Sequence, residues 1–225
     1  MRYLSVVSER GRVASARWYN MTSSVKQLTL VMLHCGERIL LGLKKRGFGA
    51  GKINVRRIRV LSTPNITSSR SIFPQGFGGK VEAGESVYDA ALRELHEEAG
   101  VHASDATKCG VIRFEFEGDP VALQVHVYRA TQFTGLCLFF LVRIRSLADR
   151  FSTGTVAESD EMRPEWYDVQ SIPYDRMWLD DQYWLPLLLS RRTFAAKFVF
   201  KGHDVITSQI VRADVGVEEL EAFQG

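Results

Sequence analysis

Between Gly79 and Val101 the chain places Glu85 after five residues and Arg93-Glu94 after seven more. It closes on Glu97-Glu98-Ala99-Gly100-Val101. Few local structures accept that spacing. Residues three and four apart lie side by side on an α-helix. A helix over about Ser86 to Ala99, stopped by Gly100, therefore projects Glu94, Glu97 and Glu98 from one face, with Arg93 four residues before Glu97. Tyr88, Ala91, Leu92, Leu95 and Ala99 fall on a neighbouring stripe at core-facing intervals. Three carboxylates on one turn repel each other unless a cation sits among them. Hard oxygen donors of this kind suit Mg²⁺, with Mn²⁺ as the other fit. A solvated acidic face is the usual explanation of a glutamate-rich turn. The Gly79, Glu85, Arg93 and Gly100 frame in register favours metal binding over it.

The flanks read as strands around a few helices. Leu28 to Leu33 and Arg38 to Leu43 are short apolar runs across His34-Cys35-Gly36-Glu37, a hairpin pattern. Lys44 to Gly51 is a basic, glycine-rich loop by composition. Val111 to Phe116 and Val121 to Tyr128 alternate apolar and polar residues about a Gly118-Asp119-Pro120 turn. Ile172 to Arg192 reads as a loop leading into a helix near Tyr183 to Ser190, and Lys197 to Val211 as a closing hairpin over Gly202-His203-Asp204. With no regular βαβ repeat, the expected fold class is a mixed α/β sandwich rather than a doubly wound sheet.

Composition excludes more than it selects. The 225 residues are 45% hydrophobic and 24% charged, enough for a sizeable core. A net charge of +3 with no long basic run argues against nucleic-acid binding, and no apolar run is long enough to cross a bilayer. Cys35, Cys109 and Cys137 follow no metal-ligand spacing and read as reduced thiols of an intracellular protein. Met1 to Ser24 sets Arg2, Arg10, Arg12 and Arg17 against Glu9. A disordered tail and a mitochondrial presequence both fit that composition, and Met21 offers a second start.

The Gly79 to Val101 frame fills every defined position of the Nudix box, and the chain resembles the Nudix family. Within it the similarity is to the MutT-homologue branch, the oxidised purine nucleoside triphosphate hydrolases. Leu40 to Gly51, Gly76-Phe77-Gly78-Gly79-Lys80-Val81, Glu158 to Pro164 and Met177 to Trp184 carry that resemblance over about Lys26 to Val215. It implies a Nudix α/β/α sandwich with a mixed β-sheet and a monomer. A small-molecule nucleotide would be the partner, with neither nucleic acid nor membrane involved. The compartment implied is cytoplasmic, with mitochondrion and nucleus left open. It also implies that Glu94, Glu97, Glu98 and Glu161, with the Gly78 carbonyl, hold the metal, Mg²⁺ with Mn²⁺ as the alternative. Arg93 joins those glutamates in the catalytic group. Thr29, Lys44, Asn54, Phe77, Gly78, Gly79, Lys80, Trp178, Leu179, Asp180 and Asp181 would contact the nucleotide, and Phe48, Phe114 and Leu123 would line its base pocket. Glu98 is the first choice of general base, with Glu97 and Glu161 as alternatives, because carboxylates on one metal titrate together. Two adjacent aspartates among aromatic walls should have separated pKa values, so that one donates while the other accepts. Such a pair suits 8-oxo-guanine and 2-oxo-adenine alike. The competing functions are a Nudix hydrolase of another nucleotide diphosphate derivative, and a weakly active nucleotide-binding isoform.

The last of these arises because two stretches interrupt the family pattern. Residues 55–75 separate Asn54 from Gly76, and residues 136–154 separate Gly135 from Thr155. Deleting the first leaves Asn54-Gly76-Phe77-Gly78-Gly79-Lys80, with Ile53 where the family carries Trp. Translated introns and genuine loop insertions both account for them; Val55-Arg56 is encodable by a donor-like GTAAGA, and Phe73-Pro74-Gln75 by a pyrimidine run ending in CAG. The expected organisation is a tail over 1–24, one Nudix domain over 25–215 with those two interruptions, and a C-terminal tail over 216–225.

Overall fold

The computed structural model describes residues 24–45, 74–136, 154–202 and 205–223. Its strands are β1 (Ser24–Cys35), β2 (Arg38–Lys44), β3 (Pro74–Gln75), β4 (Val101–Ala103), β5 (Thr107–Phe116), β6 (Val121–Ala130), β7 (Phe133–Leu136), β8 (Gly154–Thr155), β9 (Met162–Asp168), β10 (Phe194–Lys201) and β11 (Val205–Ala213). The helices are α1 (Val87–Ala99), α2 (Asp181–Leu189) and α3 (Val217–Ala222). The main sheet runs β11-β10-β5-β6-β1-β2-β3, with β9 also paired to β2, and β4-β7-β8 forms a small second sheet.

The three expected hairpins form, β1 with β2, β5 with β6 and β10 with β11. The sheet is mixed because β1 lies parallel to β6 from Ser24↔Val121 to Leu33↔Ala130, and β10 lies parallel to β5. Alternation along the strands then builds two cores. Met32, Ile39, Leu41, Val125 and Val127 face α2, where Trp184, Leu185 and Leu188 close the layer. Val31, Leu33, Leu40 and Tyr128 face the other way, against Ala91, Leu95 and Ala99 of α1. Helix α3 covers that second face farther along, setting Leu220 on Val111, Ala195 and Val215. The segment read as a C-terminal tail therefore includes a packed helix. The result is an α/β/α sandwich, and no helix among the described residues is long and apolar enough to cross a membrane.

Helix α1 starts where the Ser86 side chain accepts from the Asp89 N–H, and ends at Gly100, whose φ of 69° suits glycine. Ala91, Leu95 and Ala99 are buried as the spacing requires, and Ala90 joins them. Tyr88 departs from the expected stripe. It is 40% exposed and meets Tyr128 edge-on, since it sits in the first turn beyond the sheet's cover.

Candidate active site

The lower half of β1 has no β2 beside it, and the glycine loop takes that place. Val31 N–H donates to Phe77 O at 2.6 Å, Phe77 N–H to Val31 O at 3.0 Å, and Thr29 N–H to Gly79 O at 2.8 Å. Because Phe77 and Gly79 face β1, strand alternation turns the Gly78 amide and carbonyl the other way. Its N–H donates to Glu98 Oε2 at 2.8 Å, and Glu98 is only 4% exposed. Gly78 admits no side chain, and one on Gly79 would have to displace Glu94. A Cβ on Gly78 would lie 2.6 Å from the Thr29 carbonyl carbon and closer still to its oxygen, and one on Gly79 would lie 2.5 Å from Glu94 Cδ.

Arg93 clamps this loop to the helix. Its Nε and Nη2 donate to the two Glu85 oxygens at 3.1 and 2.8 Å, the fork-to-fork pairing that fits guanidinium to carboxylate. The same Nη2 reaches Lys80 O at 3.2 Å, while Nη1 reaches Glu94 at 3.1 Å and Glu97 at 3.3 Å. The Arg93 hydrogen bond holds the Glu85 carboxyl below its usual range. Arg93, expected among the catalytic residues, is therefore occupied in positioning.

The carboxylates do not form the single cluster that helical spacing implied. Among the described residues, no three histidine, cysteine, aspartate or glutamate side chains are grouped to hold a metal ion as they stand. Glu94 and Glu98 converge on the Gly78-Gly79 strip, whereas the Glu97 side chain is 57% exposed and rests on Arg93. The Arg93 guanidinium offsets part of the charge of Glu94 and Glu97. Glu161 is exposed; its carbonyl accepts the Lys45 N–H at 2.7 Å. Its loop is tied to the end of α1 by Ala157 N–H donating to Ala99 O at 2.9 Å. As a donor set, two oxygen-bearing carboxylates flanking an outward backbone carbonyl fit a hard divalent cation.

On the opposite face of the sheet, Asp180 and Asp181 open α2 and are 2% and 6% exposed. Trp184 Nε1–H donates to Asp180 Oδ2 at 2.9 Å, and Trp178 N–H donates to Asp181 Oδ2 at 3.0 Å. Asp180 Oδ1 is buried with no hydrogen-bond partner among the described residues. Burial raises both carboxyls, and the Asp180 charge raises Asp181 further, so the two hold their protons as a pair. Trp184, one of the tryptophans that bracket the pair in the sequence, stands four residues after Asp180 on the helix, where its indole reaches that carboxylate.

The expected residues thus divide between two faces. Phe114 and Leu123 pair across β5 and β6 on the α2 side, with Trp178 half-buried and Leu179 39% exposed nearby in the chain. Thr29 lies on the α1 side, its hydroxyl 3.5 Å from the Gly79 N–H, so it braces the loop instead of lining an α2-side pocket. The Phe77 side chain is wholly buried in the α1 core, leaving only its backbone near the surface, while Lys80 is exposed. The apolar ring won a place in the core over a place in the site. Lys44 pairs with Met162 at the end of β2. Phe48 and Asn54 lie outside the described residues.

The Nudix domain model matches residues 55–188 of this chain. The chain belongs to the Nudix family. It is 41% identical over 181 residues to an oxidized purine nucleoside triphosphate hydrolase of Danio rerio, covering 80% of this chain and 90% of that one. The mouse protein of the same description is 37% identical over 190 residues, covering 84% of this chain and 96% of its own. Among solved structures, the MutT protein of Bacillus halodurans superposes with a TM-score of 0.58 at 18% identity, over 83% of this chain and 97% of that one, a likeness of fold. As a Nudix member the chain is an enzyme, and the family generally uses divalent metal ions.

Proposed function

We propose that this Nudix enzyme hydrolyses oxidised purine nucleoside triphosphates, 8-oxo-dGTP and 2-oxo-dATP, to the monophosphate and pyrophosphate, with Mg²⁺ as its ion. The observation that carries the reading is the buried Asp180–Asp181 pair with an unpartnered Asp180 oxygen. A site built to meet a polar base edge leaves such an atom for the ligand, because a buried polar group is otherwise paired. The likeness to the fish and mouse hydrolases supports the same substrate class.

One aspartate of the pair, holding a proton, donates to a keto oxygen, while the other accepts from an amino or ring N–H. Exchanging those protonation states lets the pair meet either edge. Trp178 supplies a flat wall beside them, and Phe114 and Leu123 supply the apolar floor. At the other face Glu98, fixed by the Gly78 N–H, draws the proton from the water that attacks the β-phosphorus. Glu94, Glu97 and Glu161 complete the acidic surface, which would hold the divalent ion; when bound, that ion offsets triphosphate charge and orients it for in-line attack. Lys80 and the outward Gly78 amide strip adjoin the phosphate path. Removing these interruptions of the family pattern, residues 55–75 and 136–154, tests whether they slow this chemistry.

The deciding assay is pyrophosphate release from 8-oxo-dGTP, dGTP and a nucleoside diphosphate sugar, each with and without Mg²⁺. Selective turnover of 8-oxo-dGTP, lowered about 10²–10⁴-fold by Glu98→Gln, is the expected result for a general base. Preference for the diphosphate sugar, or full activity in Glu98→Gln, would overturn the substrate or the base assignment respectively.

A further inference from the structure

A recess separate from the Nudix site lies on the α1 side of the sheet, between the end of α3 and strands β5, β6 and β1. It has a volume of about 440 Å³ and is lined by Val25, Gln27, Arg113, Gln124, Glu221 and Phe223. That size falls in the range of small-molecule sites. Its floor is polar yet deeply buried, with Arg113 8% and Gln124 9% exposed. Strand register lines these groups up: Arg113 pairs with Gln124 across β5 and β6, and Gln124 pairs with Gln27 across β6 and β1.

Their hydrogen bonds leave a set of donors unspent. Arg113 Nε donates to Glu115 Oε1 at 2.9 Å, and Lys197 Nζ lies 3.1 Å from the same oxygen. One carboxylate thus serves two cations, which leaves net positive charge beneath the recess. The Arg113 bond to Glu115 is made by Nε, so neither terminal nitrogen is spent in it, and the Gln124 amide lines the recess beside them. Gln27 Oε1 accepts from His126 Nε2 at 2.7 Å, which turns the Gln27 NH₂ away from the histidine. Burial pushes His126 down to about 4, so the ring is neutral and its Nε2 carries the proton in that bond. At the rim, the Glu221 charge is offset by Lys108 at 2.8 Å, and Phe223 lies under the Arg212 guanidinium at 5.8 Å. An arginine fork and two primary amides around a buried floor match an oxyanion, because guanidinium binds carboxylate and phosphate through paired N–H groups.

We propose that this recess binds a small oxyanion, a phosphate or carboxylate group, held by the terminal nitrogens of Arg113 and flanked by the Gln124 and Gln27 amides. Gln27 precedes Thr29 by two residues on the same strand face, about 7 Å by strand rise. The recess therefore borders the strand that carries the glycine loop. It uses none of Glu94, Glu98, Asp180 or Asp181, so it stands or falls apart from the substrate reading.

The test is a titration of the full chain, with EDTA present, followed by side-chain N–H NMR. Inorganic phosphate forms one arm and acetate the other. The proposal expects saturable shifts at the Gln27 and Gln124 amides and at Arg113 Nε in at least one arm. Apparent affinity should fall at least 10-fold in Arg113→Met and several-fold in Gln124→Leu, and hold in Glu98→Gln. Saturation by phosphate alone would assign a phosphate group, and saturation by acetate a carboxylate. Gln124→Leu keeps the Arg113–Glu115 pair and decides the matter should Arg113→Met fail to fold. Non-saturating shifts, saturation unchanged by Gln124→Leu, or shifts confined to Gly78 to Lys80 would each overturn it.

Discussion

Replacing Gly79 by alanine adds one methyl group at the point where the loop meets a site carboxylate. The new Cβ would stand 2.5 Å from Glu94 Cδ, against the 3.4 Å at which ordinary contact begins, so the carboxylate must retreat by about 1 Å. It can do so, because it ends a flexible side chain. An off-rotamer side chain costs about 0.5–1.5 kcal/mol. Reduced freedom of the unfolded chain on Gly→Ala offsets about 0.4–1 kcal/mol of that. Net stability should change by less than about 1 kcal/mol, a Tm shift of about 2–4 °C at most. Catalysis is less forgiving, since a 1 Å misplacement can cost about 10²-fold, or about 2.7 kcal/mol of barrier. Gly78→Ala is the contrasting case: its Cβ meets the Thr29 backbone, which cannot step aside. The loop must peel from β1, and the three bonds among Thr29, Val31, Phe77 and Gly79 go with it, at about 1 kcal/mol each. Thermal melting should then show a near-native Tm for Gly79→Ala and a fall of about 6–12 °C for Gly78→Ala. Pyrophosphate release from 8-oxo-dGTP should be down about 100-fold in Gly79→Ala. A Gly79→Ala enzyme with native turnover would refute the claim that Glu94 works from where the loop holds it.

Leu95→Ala removes a side chain with no exposure at the centre of the α1 core, and urea unfolding should show a loss of about 2–5 kcal/mol. Asp180 and Asp181 have raised native pKa values, so the folded state holds protons that the unfolded state releases above the usual carboxylate range. Stability contributed by the pair is thus greatest below that range and falls as pH rises through the native values, about 6 for Asp180. Across pH 4 to 7.5, Tm of the wild type should decline relative to Asp181→Asn; parallel curves would show that the pair carries no such linkage. Gly135 pairs with Gly154, and Leu136 with Thr155, across β7 and β8, so Gly135 and Thr155, the ends left in a chain lacking residues 136–154, already lie close together. It should fold with the far-UV spectrum of the full chain, and a loss of cooperative melting would show that the stretch is structural.

Much of the α1 unit was legible because its signals are local: a serine cap, a closing glycine and apolar residues at helical intervals. The aspartate pair was legible for the same reason, bracketed by tryptophans within one short stretch. Long-range pairing was not. Hairpin patterns join neighbours in sequence, but β1 meets β2 only from Leu33 to Cys35 and spends the rest of its length on β6 and the glycine loop. Phe77 read as a ligand contact because it sits inside a motif, although a phenyl ring flanked by glycines gains more from the core than from a wet site. Arg113 and Gln124 fall on polar positions of alternating strands and would pass for a solvent face; α3, six residues with a buried Leu220, ends beside them. A helix that short announces itself through its packing and has almost no pattern of its own.

The parallel pairing of β1 with β6 also bears on how the chain is made. A ribosome releases β1 well before its partner, since Val125 follows Leu28 by 97 residues. At about 5–20 residues per second the wait is of order 5–20 s. Throughout it, the edge of β1 that later pairs with β6 lacks that partner, and a chaperone that shields exposed strands would find its client there.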